Sequence, residues 1–135
     1  MIQVVLPQAL RGRILQEAHR ARPAECCGLI EGVRGSASFE VTALHPARNL
    51  AASTDRFDID PRDQFVAHKA ARAQGRAIIG CYHSHPGGRA QPSAADRAGA
   101  GEENFLWLIA ADEGLKAFVY LRGEFVGADC VTSSA

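Results

Sequence analysis

Apolar positions along the chain alternate between two periods. Ile2 to Leu6 is a short apolar run and predicts a first strand. From Pro7 to about Ala21, Leu10, Ile14 and Ala18 recur every fourth residue and predict one buried face of a helix, which Pro23 stops. Glu25 to Val33 reads as a strand ended by Arg34-Gly35, with Ala37 to Leu44 as its hairpin partner. His45 to Asp58 is irregular, with a short strand expected near Arg56 to Ile59. Asp60-Pro61-Arg62-Asp63 is a helix start: an N-cap, proline at the first helical position, and acid two residues on. That helix should run to Gln74, with Gly75 just past its end. Arg76 to His85 predicts a buried strand, and a short helix follows Ser93. Phe105 to Ala111, Leu115 to Leu121 and Glu124 to Cys130 predict a strand meander with turns at Asp112-Glu113-Gly114 and Arg122-Gly123. The tail, Val131 to Ala135, is expected to fray. The pattern predicts a mixed α/β domain over residues 1–135, a sheet flanked by two long helices.

One segment carries more chemistry than the rest. His83-Ser84-His85-Pro86 closes the strand that contains Ala77-Ile78-Ile79-Gly80-Cys81-Tyr82. Side chains two apart on a strand share a face, so His83 and His85 can present two imidazoles to one point. Pro86, Gly87 and Gly88 allow the chain to turn. Ser93-Ala94-Ala95-Asp96 then has the pattern of a capping box. Asp96 is the nearest candidate third ligand for a metal, and it could equally do no more than cap the helix. A catalytic zinc needs three protein ligands and one open position. The His-x-His pair alone is weak; its combination with the glycine-proline turn and Ser-x-x-Asp is much stronger.

This combination resembles the JAMM (MPN+) zinc metallopeptidase family, whose signature is an upstream glutamate, His-Ser/Thr-His-Pro and Ser-x-x-Asp. Pro23-Ala24-Glu25-Cys26-Cys27-Gly28-Leu29-Ile30 is similar to the family's glutamate-bearing segment. Asn49 followed by Phe57-Asp58-Ile59-Asp60-Pro61 is similar to its connection into the second helix. The resemblance covers nearly the whole chain. It implies a partly barrel-like sheet, an architecture related to that of cytidine deaminases. It implies one zinc per chain on His83, His85 and Asp96, with Glu25 as general base. Unaided, Glu25 would be read as an exposed carboxylate at a strand end. Ser93 is implied as the group that stabilises the tetrahedral oxyanion; its alternative role is the N-cap alone. The resemblance further implies cleavage after the C-terminal diglycine of a ubiquitin-like protein. The 58-position step from Glu25 to His83 has no room for large insertions, which fits the short prokaryotic type that acts on ubiquitin-like sulfur-carrier proteins.

Composition narrows the alternatives. The chain has 135 residues, 47% of them hydrophobic, and zero formal net charge, which argues against disorder and against a nucleic-acid partner held by bulk charge. No apolar stretch approaches the length of a membrane span, and Met1 to Leu6 lacks the character of a signal peptide; a cytoplasmic, membrane-free protein is expected. The four cysteines form no Cys-x-x-Cys and read as small buried strand residues. His19, His45 and His68 fall outside any ligand spacing. Ser84 is expected to point away from the histidines, and Trp107 to lie in the core. Four readings stand: a zinc peptidase on a ubiquitin-like carrier; a zinc peptidase on another protein or peptide; a non-catalytic MPN-type binding module; and, residually, a cysteine peptidase using Cys26 or Cys27.

Overall fold

The computed structural model describes residues 1–134. Seven strands and three helices follow in the order β1 (Gln3–Pro7), α1 (Gln8–Ala21), β2 (Cys27–Gly35), β3 (Ser38–Ala47), α2 (Pro61–Ala73), β4 (Ala77–Ser84), α3 (Ala94–Gly99), β5 (Phe105–Ala111), β6 (Gly114–Leu121) and β7 (Glu124–Ser133). The strands close into a barrel in the order β1-β3-β2-β4-β5-β6-β7, with β7 returning to pair β1. The β2–β3 hairpin and the β5–β6–β7 meander are antiparallel, whereas β1 lies parallel to both β3 and β7, and β4 parallel to β5. The mixed α/β class expected from the sequence is the class observed.

Two apolar clusters lie on opposite sides of the sheet. Leu10 and Ile14 of α1 pack with Val4, Leu6, Ile30, Tyr82, Leu106, Leu108 and Val119. Ala67 and Ala71 of α2 pack with Leu29, Ile59, Ile78, Cys81 and Trp107. Each fully buried aliphatic side chain contributes about 1.5–3 kcal/mol. The α2 start is as the sequence predicts: Asp60 accepts a hydrogen bond from the Arg62 N–H at 2.9 Å, Pro61 opens the helix, and Gly75 adopts a left-handed φ of 69° beyond its end.

A β-bulge in β4 decides where the histidines face. Ile30 pairs with Gly80 but Glu31 pairs with Ile78, so Ile79 is an extra residue. The bulge shifts the phase of the strand. Ile79 and Tyr82 join the α1 cluster, and Ile78 and Cys81 the α2 cluster, although each pair is three residues apart. Gly80 pairs with Leu106 of β5; a Cβ there would lie 2.2 Å from the Leu106 carbonyl oxygen.

Four expectations change. β2 begins at Cys27, so Glu25 precedes the strand instead of starting it. The strand expected near Arg56 to Ile59 reduces to a single bridge between Asn49 and Ile59. The tail expected to fray after Cys130 continues as β7 to Ser133, because Val131, Thr132 and Ser133 pair with Val5, Leu6 and Pro7; Ala135 lies outside the described residues. Cys130 is only half-buried, unlike Cys26, Cys27 and Cys81.

Candidate active site

β4 delivers His83 and His85 to the α2 side of the sheet, at the end where the strand runs out. His83 is fully buried. Its ring stacks on Phe57 at 4.4 Å and 27°, and meets Trp107 edge-on at 5.7 Å. Ser84 faces the other way, as expected from strand alternation, and its hydroxyl accepts the Cys26 N–H at 2.8 Å. The turn after β4 folds back so that the Arg89 carbonyl accepts a hydrogen bond from His85 Nδ1 at 2.8 Å. α3 then opens on a full capping box. Ser93 Oγ accepts the Asp96 N–H, and Asp96 Oδ2 accepts the Ser93 N–H at 2.9 Å. Capping and convergence are therefore not alternatives for Asp96: the same carboxylate does both.

The donor atoms of the three residues meet at one point. His83 Nε2 lies 3.0 Å from His85 Nε2 and 3.0 Å from Asp96 Oδ2, and His85 Nε2 lies 3.1 Å from the same oxygen. Ligands at about 2.0–2.1 Å in a tetrahedron lie about 3.3 Å apart, close to this spacing. Tautomer logic makes the fit sharper. A carbonyl can only accept, so His85 Nδ1 carries a hydrogen and the neutral ring presents a bare lone pair at Nε2. That lone pair faces a carboxylate oxygen. Two acceptors at 3.1 Å need a cation between them, a proton or a metal ion. The donor set of two imidazoles and one carboxylate is the kind that holds a zinc with an open position.

The titration behaviour follows from the same contacts. Burial disfavours charge on Asp96, but its contacts with the His83 and His85 rings and with the Ser93 N–H outweigh it and hold the carboxyl well below the usual range. Burial pushes His83 down and keeps its ring neutral. Burial also opposes charge on His85, yet the Asp96 and Arg89 hydrogen bonds leave it raised.

Glu25 stands beside this cluster. Its carboxylate and the ring nitrogens of His83 and His85 all lie within 4.8 Å of one another. Glu25 is 4% exposed, and its Oε1 has no hydrogen-bond partner among the described residues. Burial raises its pKa to about 7, opposed by His85 and helped by Asp96 and Asp55. Glu25, His85 and Ser93 line an open cleft of about 760 Å³, together with Arg22, Pro86 and Arg89. All five residues singled out in the sequence are thus brought to one place. His19, His45 and His68 are not part of it; His45 instead pairs with the buried Glu31 at 2.9 Å.

Sequence reasoning misses three contributors. Phe57 stands in the sequence only as part of a connecting motif, and Trp107 as core; both wall the His83 ring. The third is Asn49, whose Nδ2 donates to the Glu25 carbonyl at 3.1 Å and whose Oδ1 accepts the Ala51 and Asp58 N–H groups. The sequence carries Asn49 only as the start of the family-like connection to Phe57-Asp58-Ile59-Asp60-Pro61, and its hold on Glu25 leaves no periodic signal.

Residues 7–121 match the model of a family described as prokaryotic homologs of the JAB domain. The chain belongs to that family. Among relatives of this JAB domain, a desampylase of Haloferax volcanii is 37% identical over 93 residues, 68% of this chain and 66% of its own. A probable TtuB-protein conjugate cleaving protease of Thermus thermophilus is 32% identical over 122 residues, 90% of this chain and 76% of its own. The deubiquitinase MYSM1 of Mus musculus is 35% identical over 75 residues, 54% of this chain, and the match spans only 9% of that protein. The JAB barrel described above also superposes on a solution structure of a Desulfitobacterium hafniense protein with TM-score 0.88 and 29% identity, covering 98% of this chain and 94% of the other.

Proposed function

We propose that this chain is a zinc-dependent peptidase that hydrolyses the bond after the C-terminal diglycine of a ubiquitin-like sulfur-carrier protein. The observation that carries the reading is the convergence of His83, His85 and Asp96 on one point with a buried, unpartnered carboxylate, Glu25, beside it. A zinc held by those three residues would supply Lewis acidity to the attacking water and the scissile carbonyl. Glu25 Oε1 takes the proton of that water and returns it to the leaving amine nitrogen, the work of a general base that becomes a general acid. Burial pushes the Glu25 carboxyl above the usual carboxylate range, which favours both taking and returning a proton. Ser93 Oγ already accepts the Asp96 N–H, so its own hydrogen is free to donate to the developing oxyanion. The Arg89 carbonyl holds His85 in the tautomer that the ligand role needs.

The names of the relatives support a protein conjugate as substrate. One is a desampylase, one a probable conjugate cleaving protease, and one a deubiquitinase. The diglycine tail and the sulfur-carrier class rest on the motif resemblance. The cysteine-peptidase reading is disfavoured by burial, which pushes the Cys26 thiol up to about 11 and the Cys27 thiol up to about 12, so neither is a thiolate at neutral pH. The binding-module reading is disfavoured because Glu25, His83, His85 and Asp96 are all present and assembled.

The test is incubation of the zinc-loaded protein with a ubiquitin-like carrier extended by a few residues beyond its diglycine, followed by mass measurement. Trimming back to the terminal glycine is expected, and a bulky residue in place of that glycine should abolish it. Efficient cleavage of lysine-linked polyubiquitin with no action on extended carriers would point instead to a deubiquitinating role.

A further inference from the structure

Glu25 has an unusual support. Its Oε1 is buried and makes no hydrogen bond among the described residues, and the residue lies outside any regular element, between α1 and β2. Neither a side-chain partner at that oxygen nor a strand ladder sets its direction. The peptide unit that leaves it is, however, gripped at both ends. The Glu25 carbonyl accepts from Asn49 Nδ2 at 3.1 Å, and the N–H of the same peptide, on Cys26, donates to Ser84 Oγ at 2.8 Å. Each gripping side chain is itself fixed. Asn49 Oδ1 accepts two backbone N–H groups at 2.9 Å, Nδ2 also reaches the Arg56 carbonyl, and Asn49 bridges to Ile59. Ser84 is 2% exposed and its own N–H donates to the Cys26 carbonyl at 3.2 Å.

Building on the reading of Glu25 as general base, we infer that Asn49 and Ser84 are positioning residues that clamp the Glu25–Cys26 peptide plane and thereby aim the Glu25 carboxylate at the water. A peptide plane held at its oxygen and its hydrogen cannot rotate about its flanking bonds. The Glu25 Cα–Cβ direction is then fixed by side chains that never touch the substrate. This gives Ser84 a task distinct from its neighbours: His83 and His85 face one side of β4 as candidate ligands, and Ser84 faces the other as a brace for the base. It also links the loop after β3 to the chemistry, since Asn49 belongs to that loop.

A double-mutant cycle tests this. Steady-state rates on a carrier–peptide fusion cleaved after the diglycine are compared for the wild type, Asn49→Ala, Ser84→Ala, Glu25→Gln, and each of the first two combined with Glu25→Gln. Zinc content and thermal midpoint are recorded for each. Misplacing a reacting group by about 1 Å can cost about 100-fold, so each single variant should lose about 10- to 100-fold in kcat, with KM and zinc retained. In the Glu25→Gln background either substitution should change the residual rate by less than about twofold, because its target is already gone. Single variants within twofold of wild-type kcat would overturn the clamp. So would losses that recur undiminished in the Glu25→Gln background, or that appear in KM or zinc content alone. A fast Glu25→Gln enzyme would instead overturn the assignment of the base, a separate failure.

Discussion

Glu25 and the three converging residues make separable demands. Glu25→Gln keeps the shape of the side chain but cannot take a proton. It should retain fold and zinc and lose roughly 100-fold or more in turnover, read by steady-state kinetics beside metal analysis. His83→Ala or Asp96→Ala removes one of three donors. The wild type should carry one zinc per chain by elemental analysis, and both variants should lose it on dialysis. The sign of the pH dependence follows from Glu25. As the proposed general base it would act in its carboxylate form, and burial places its pKa at about 7 in the metal-free chain. A bound dication nearby lowers that value. The kcat/KM profile should therefore rise with pH along an acid limb centred below about 7. His83, His85 and Asp96 are legible as candidates because a metal site needs particular atoms at particular spacings; Glu25 is legible only through the family resemblance. Asn49 and Phe57 are not readable as parts of the site in the same way. An asparagine that holds a loop and an aromatic that walls a ring gain their roles only from what the fold brings beside them.

Among the elements, β4 shows where pattern reading stops. Its apolar run and its closing histidines are plain, yet simple alternation across Ile78 to Tyr82 gives the wrong faces, because Ile79 is an extra residue opposite Ile30 and Glu31. A bulge leaves no mark in a run that is apolar on both sides. After the bulge, Gly80 to Ser84 keep normal alternation, so the pair of histidines still reads as sharing a face. Gly80 is the element's tight point. In Gly80→Ala the new methyl would press on the backbone oxygen of Leu106, which no rotamer change can relieve. Destabilisation by about 2 kcal/mol or more is expected in denaturant titration, with loss of zinc as β4 and β5 separate. A mild variant at that position would show that β5 can shift without cost. Glu25 lying before β2 has the same lesson in reverse: propensity carries the strand two residues too far.

For the molecule as a whole, the barrel closes through β1 and β7. Local pattern reveals all seven strands and the meander, but nothing local identifies partners so far apart, and the closing pair is invisible to it. The last strand is accordingly expected to stop at Cys130. Deleting residues 131–135 would strip the register pairs of Val5, Leu6 and Pro7. Each lost backbone hydrogen bond is worth about 0.5–1.5 kcal/mol, so a fall of several degrees in thermal midpoint is expected, measurable by circular dichroism. An unchanged midpoint would mean that this stretch pairs without contributing to stability.

The β1–β7 seam also bears on how the chain is made. During synthesis β1 leaves the ribosome well before residues 124–133. Until they emerge, β1 can find β3 but its other edge stays unpaired, and β6 likewise waits for β7. Contacts between such distant segments form slowly, and open edges invite pairing with other chains. The barrel therefore stays open to pairing with other chains until β7 has emerged, and a slowed or stalled ribosome before that point would prolong the exposure.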